Sequence, residues 1–155
     1  MAKTKILQAN LPLGKYMEII SKGYMDIFHQ KLGHLEIERY YSILVFIGNK
    51  EKCTQQHISD FLKTDKASMV RIMNYLSEHG MTDKRVNAYD RRQHFVFLTE
   101  KAKNILPEIH KAMEETNNIA MEEFSKKDIR HFYKYMDTMK GSLDTFLKNK
   151  MTSDR

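Results

Sequence analysis

The chain has 155 residues, with two prolines, six glycines, one cysteine, 41% hydrophobic and 30% charged residues. That length suits one domain, or one unit that completes its core by dimerising. The balance excludes a disordered chain, and no apolar run approaches the roughly 20 residues of a membrane span. Lysine and arginine outnumber acids 26 to 20, a formal net charge of +6, which admits nucleic acid or an anionic surface as a partner without requiring either.

Residues 1 to 9 read as a loose arm, and Met1 to Ile6 lack the long apolar stretch of a secretory signal. Pro12 opens a helical pattern, because proline is tolerated in a first turn. Leu13, Met17, Ile20, Tyr24, Ile27, Phe28 and Leu32 follow at helical spacing, and Gly33 is expected to close the helix in a left-handed conformation. A second helix is expected from about Glu36 to Ile47, with Ile37, Tyr40, Tyr41, Leu44 and Ile47 inward. Gly48-Asn49-Lys50 is a turn. Lone Cys53 cannot make an internal disulfide or a CxxC zinc site, and it leaves the cytoplasm as the expected location.

Thr54 caps a short helix carrying Ile58, Phe61 and Leu62. After the polar turn Lys63-Thr64-Asp65, a helix from Lys66 to His79 is closed by Gly80. Its inward set is Met69, Ile72, Met73 and Leu76; its outer face is Lys66, Ser68, Val70, Arg71, Asn74 and Tyr75. Met81–Val86 and His94–Leu98 read as strands joined by Asn87-Ala88-Tyr89-Asp90-Arg91-Arg92-Gln93. Thr99 caps a long helix to about Phe124, bent by Pro107. Ser125 with Asp128 forms a capping box for a last helix. Its Ile129, Phe132, Met136, Met139, Leu143 and Phe146 alternate spacings of three and four, a heptad seam.

Two short helices, a polar turn and a two-stranded ribbon are physically a helix-turn-helix with a wing. Ser68, Arg71 and Asn74 can reach base edges or phosphates, Val70 a thymine methyl, and Lys66 adds charge at the groove rim. The ribbon carries Lys84, Arg85, Arg91 and Arg92 against one acid, Asp90, and an arginine at its tip suits a narrow A·T minor groove. Each piece alone reads more readily as an ordinary surface helix or a solvated turn; their order and spacing reverse that preference.

Residues Thr54 to Thr99 resemble the winged helix-turn-helix of the MarR/SlyA family. The matching stretches are Thr54 to Leu62, Asp65 to Arg71, Leu76 to Gly80, and above all Asp90-Arg91-Arg92 followed by Leu98-Thr99. The resemblance implies a mainly α fold, a winged helix-turn-helix with long N- and C-terminal dimerisation helices. Residues 1–35 and 100–155 would form the dimerisation region and 36–99 the DNA-binding lobe. It further implies a homodimeric regulator on a pseudo-palindromic operator, a repressor relieved by a small-molecule effector. The recognition helix would be Lys66 to His79, with Arg91 and Arg92 at the minor groove and Asp90 holding the wing turn. Val70 stands where a small hydroxylated residue is common, Tyr75 where a basic one is, and Asn87-Ala88-Tyr89 lacks the frequent proline.

The resemblance also raises a small aromatic effector as partner, with Tyr16, Tyr24, Phe28, Tyr40 and Tyr41 as candidate lining; the same side chains fit an ordinary core. His110 and Glu114, with His29 and His34, show only spacing, so no metal site and no cofactor is expected. No GxSxG, P-loop, GxGxxG or HExxH motif points to an enzyme. The alternatives are a helical adaptor that never touches DNA and a metal-responsive regulator.

Overall fold

The computed structural model describes residues 11–35, 37, 40–86 and 94–153. Six helices and three short strands are described: α1 (Leu13–Leu32), α2 (Tyr41–Gly48), β1 (Cys53–Thr54), α3 (Gln55–Leu62), α4 (Lys66–Glu78), β2 (Thr82–Val86), β3 (His94–Leu98), α5 (Glu100–Ala120) and α6 (Lys126–Ser153). The chain divides into two compact units, residues 1–116 and 117–155.

The core belongs to the first unit. Phe28 and Leu32 of α1, Ile43, Leu44 and Ile47 of α2, Ile58 of α3, Met69, Met73 and Leu76 of α4, Val96 and Leu98 of β3, and Ala102, Ile109 and Ala112 of α5 form one buried cluster. Each fully buried large side chain is worth about 1.5–3 kcal/mol. The last turn of α1 is tied to α5 by Lys31 to Glu115 at 2.6 Å, and His34, just beyond it, meets Glu108 at 2.8 Å.

Three expectations are corrected here. Gly33 does not take a left-handed conformation; its φ of −58° continues the chain into a short 3-10 turn over Gly33–Leu35. The second helix begins at Tyr41 rather than near Glu36, although Ile37 is buried as expected. The fifth helix ends at Ala120, not at Phe124. Residues 121–123 form a turn, and Ser125 then opens α6 as expected. Its Oγ accepts from the Asp128 backbone N–H at 3.2 Å, while Asp128 Oδ2 accepts from the Ser125 hydroxyl at 2.6 Å.

A strand absent from the sequence reading completes the sheet, whose order is β1-β3-β2. Cys53 pairs with Val96 and Thr54 with Phe95, both antiparallel; β2 pairs with β3 from Thr82–Leu98 to Val86–His94. Buried Thr82, Val96 and Cys53 share the core face. Burial pushes the Cys53 thiol up, opposed by the Lys50 charge, so Cys53 behaves as a small core side chain rather than a ready nucleophile.

Candidate nucleic-acid interface

The helix-turn-helix is built by local hydrogen bonding. Thr54 accepts from the His57 backbone N–H at 3.2 Å, and the Thr54 N–H returns to His57 Nδ1 at 3.4 Å, so a capping box starts α3. The turn closes through Ser59 Oγ donating to the Thr64 carbonyl at 2.8 Å, with Lys63 at φ 49°. A left-handed non-glycine costs about 1–2 kcal/mol, so this lysine sits at a position the turn's geometry imposes.

Asp65 starts α4. Its Oδ1 accepts from the Ser68 N–H at 2.9 Å, and this hydrogen bonding holds the carboxyl below the ordinary aspartate range. Met69, Met73 and Leu76 anchor the back of α4. Lys66, Val70, Arg71 and Asn74 stand exposed on the front, with Ser68 half-buried among them. The Arg71 guanidinium donates to Ser68 Oγ at 3.1 Å, which orders an otherwise mobile side chain before any ligand arrives. Tyr75 does not belong to that front: it is partly buried against the core, its ring 5.0 Å from Tyr40 and 3.9 Å from His79. The i+4 step from Arg71 carries it round toward α2.

Gly80 ends the helix at φ +67°, where its N–H donates to the Ser77 carbonyl at 2.9 Å. Thr99 locks this corner to the next helix. Its hydroxyl donates to the Gly80 carbonyl at 2.6 Å and accepts from the Ala102 N–H at 3.2 Å. The threonine of the Leu98-Thr99 pair is thus both the cap of α5 and a brace for the end of α4.

Lys84 and Arg85 are exposed on β2. Asp90, Arg91 and Arg92 lie outside the described residues. The Arg85 guanidinium rests over the Phe97 ring at 5.0 Å, and Lys52 Nζ lies 6.0 Å from the Phe95 ring. Sequence spacing does not reveal this placement of Lys52, because its neighbour in space is set by the β1–β3 pairing.

The candidate effector residues separate. Phe28 is fully buried, 4.1 Å from the Tyr41 ring and 6.3 Å from Tyr24. The Tyr41 hydroxyl donates to Met25 Sδ at 3.2 Å, and burial pushes its phenol up. Tyr40 turns instead to α4 and lines a cavity of about 200 Å³ with Ile43, Leu62, Thr64 and Ile72. Tyr16 is half-buried on α1. Among the described residues, His, Cys, Asp and Glu side chains form no group of three that could hold a metal ion, and no helix is long and apolar enough to cross a membrane.

A capped two-helix unit with a polar front, braced against an antiparallel ribbon, defines a winged helix-turn-helix. Residues 38–93 match the sequence model of the MarR family. The HTH-type transcriptional regulator BilQ of Clostridioides difficile (strain CD3) is 25% identical over 100 residues, 64% of this chain and 68% of that protein. A MarR transcriptional regulator from Methanosarcina mazei Go1 superposes with a TM-score of 0.76 at 25% identity, covering 85% of this chain and 96% of that one. A MarR family regulator from Listeria monocytogenes, complexed with 26mer DNA, gives 0.80 at 21% identity over 86% and 89% of the two chains. At that identity the likeness is one of fold.

Proposed function

We propose that the chain is a DNA-binding transcriptional regulator, and that it acts in the cytoplasm as a homodimer on a pseudo-palindromic operator. The observation that carries this reading is the front of α4: Lys66, Val70, Arg71 and Asn74 exposed on a helix whose back is fully anchored. The DNA complex of the Listeria relative supports it through a shared fold. In this reading Ser68, Arg71 and Asn74 meet bases or phosphates, Val70 a thymine methyl, and Lys66, Lys84 and Arg85 the backbone. Arg91 and Arg92 enter the flanking minor groove and Asp90 holds their turn.

Residues 36–99 form the DNA-binding lobe, and 1–35 with 100–155 supply the pairing helices. The exposed Leu13, Ile19 and Ile20 of α1 and Leu143, Phe146 and Leu147 of α6 favour pairing with a second copy. Repression, relieved by a small aromatic molecule near Tyr16, Tyr24, Phe28, Tyr40 and Tyr41, is the finer part of the same reading.

The test is selection of genomic fragments on the purified protein, then salt titration on the recovered site. A regulator's log affinity falls linearly with log salt, with a slope near −0.9 per phosphate neutralised. A protein that recovers no fragment and shows no salt-dependent affinity is an adaptor instead.

A further inference from the structure

Three features converge on the middle of α6. The first is Gly141, in the interior of a 28-residue helix. After proline, glycine is the residue that most weakens a helix interior. Neither usual reason for one applies here. Among the described glycines only Gly80 has a positive φ, and a Cβ at Gly141 would meet nothing within 4 Å. The helix gives up stability at this point with no gain in packing or backbone conformation inside the chain.

The second is the run of hydroxyls around it. Thr138 donates to the Lys134 carbonyl at 2.9 Å, Ser142 to the Thr138 carbonyl at 3.0 Å and Thr145 to the Gly141 carbonyl at 2.9 Å. A hydroxyl that bonds back to the carbonyl four residues earlier competes with the helix's own ladder and bends it, and Gly-Ser pairs are habitual kink sites. At about 100° per residue, Gly141 lies on the side of α6 opposite Met139 and Leu143 of the seam, with Thr138 and Thr145 beside it. The ladder is loosened on that outer side, so a bend closes toward the seam.

The third is a change in the seam itself. Ile129, Phe132, Met136 and Met139, before the glycine, are half-buried, whereas Leu143, Phe146 and Leu147, after it, are exposed.

We propose that Gly141-Ser142 is a hinge, about which the end of α6 bends toward its apolar side to close on a second copy of the chain. The hinge needs only α6; what its far segment closes on rests on the homodimer reading.

Residual dipolar couplings of the backbone amides, measured on the full chain, test it. A rigid helix fits one orientation from Lys127 to Lys150. The hinge should give a step at Gly141, beyond which the couplings shrink or fit a second orientation. Gly141→Ala should remove the step, slow amide exchange from Lys140 to Thr145 about fivefold, and still sediment as a dimer. Ser142→Ala should reduce the step without removing it. Asp137→Ala also favours helix but lies before the joint, and should leave the step in place. One orientation throughout α6, a gradual loss toward the C-terminus that Gly141→Ala and Asp137→Ala relieve alike, or a dimer lost in Gly141→Ala would each overturn the hinge. A parent chain that sediments as a monomer would overturn the second copy as what the segment closes on, and the step at Gly141 would still decide the hinge.

Discussion

α4 and α6 are both amphipathic helices, and their apolar faces meet opposite ends. In α4 the spaced Met69, Met73 and Leu76 are buried within the same chain. In α6, which is 28 residues long, no described side chain is buried, and Leu143 and Phe146 are 65% and 67% exposed. The two patterns differ in period and length: a short set framed by Asp65 and Gly80 fills a core, whereas a long three-four alternation leaves an apolar seam unburied in this chain. Leaving such side chains in water forfeits about 25 cal/mol per Å² of apolar surface. A second copy of the same helix offers a matching seam.

The largest effects follow from that contrast. Met73→Asp puts a carboxylate at a site with no solvent access, and it should leave no folded lobe at 25 °C, since an unpaired buried charge costs more than the ~5–15 kcal/mol of a typical domain can absorb alongside the lost packing. Circular dichroism melting checks it; a cooperative transition near the parental temperature would show that α4 is not core-anchored. In the proposed homodimer, Leu143→Lys with Phe146→Lys should spare the lobe's melting transition and shift sedimentation from dimer to monomer, because two charges would enter the apolar seam. A folded dimer of this variant would place the seam elsewhere.

A middle-sized effect separates the residues on the front of α4. Arg71, ordered by Ser68, should cost about 1–3 kcal/mol on the best site when changed to alanine, with relaxed sequence preference. Lys66→Ala should weaken all duplexes alike and reduce the salt slope by about 1. Equal losses from both substitutions on specific and random duplexes would mean that this face grips phosphates and reads no bases.

What the sequence makes legible follows from how local each signal is. The α4 helix was readable to within a residue because its caps, its period and its glycine stop all lie inside one short window. β1 was invisible because a two-residue strand has no period; it exists through pairing with Val96 and Phe95, more than forty positions away. Tyr75 was placed on the outer face by spacing alone, and its aromatic neighbours Tyr40 and His79 draw it inward. Gly33 failed as a left-handed stop because the chain tightens into a 3-10 turn instead. The front of α4 is legible at Lys66, Val70, Arg71 and Asn74, which stand exposed, but not at Tyr75. The cations over the rings of β3 were not, since strand register decides which charge meets which ring.

The smallest effect concerns how the two helices begin. Asp65 opens α4 by accepting from the Ser68 backbone, and Asp128 closes the box of α6 by accepting from Ser125. Hydrogen bonds from these serines hold both carboxyls below the ordinary aspartate value, which is about 3.9. A carboxyl lowered in the folded state stabilises that state above its unfolded value and loses the contribution as pH falls through the folded one. The stability at stake is therefore present above about pH 4 and disappears below it. Asp65→Asn keeps a capping oxygen without the titration, so its lobe should melt with a flatter dependence on pH between about 5 and 2 than the parent. Asp128→Asn should flatten only the helical signal of α6. If both variants follow the parental acid curve in both transitions, the caps contribute no pH dependence, and the acid sensitivity of the chain comes from its ion pairs, Lys31 with Glu115 first among them.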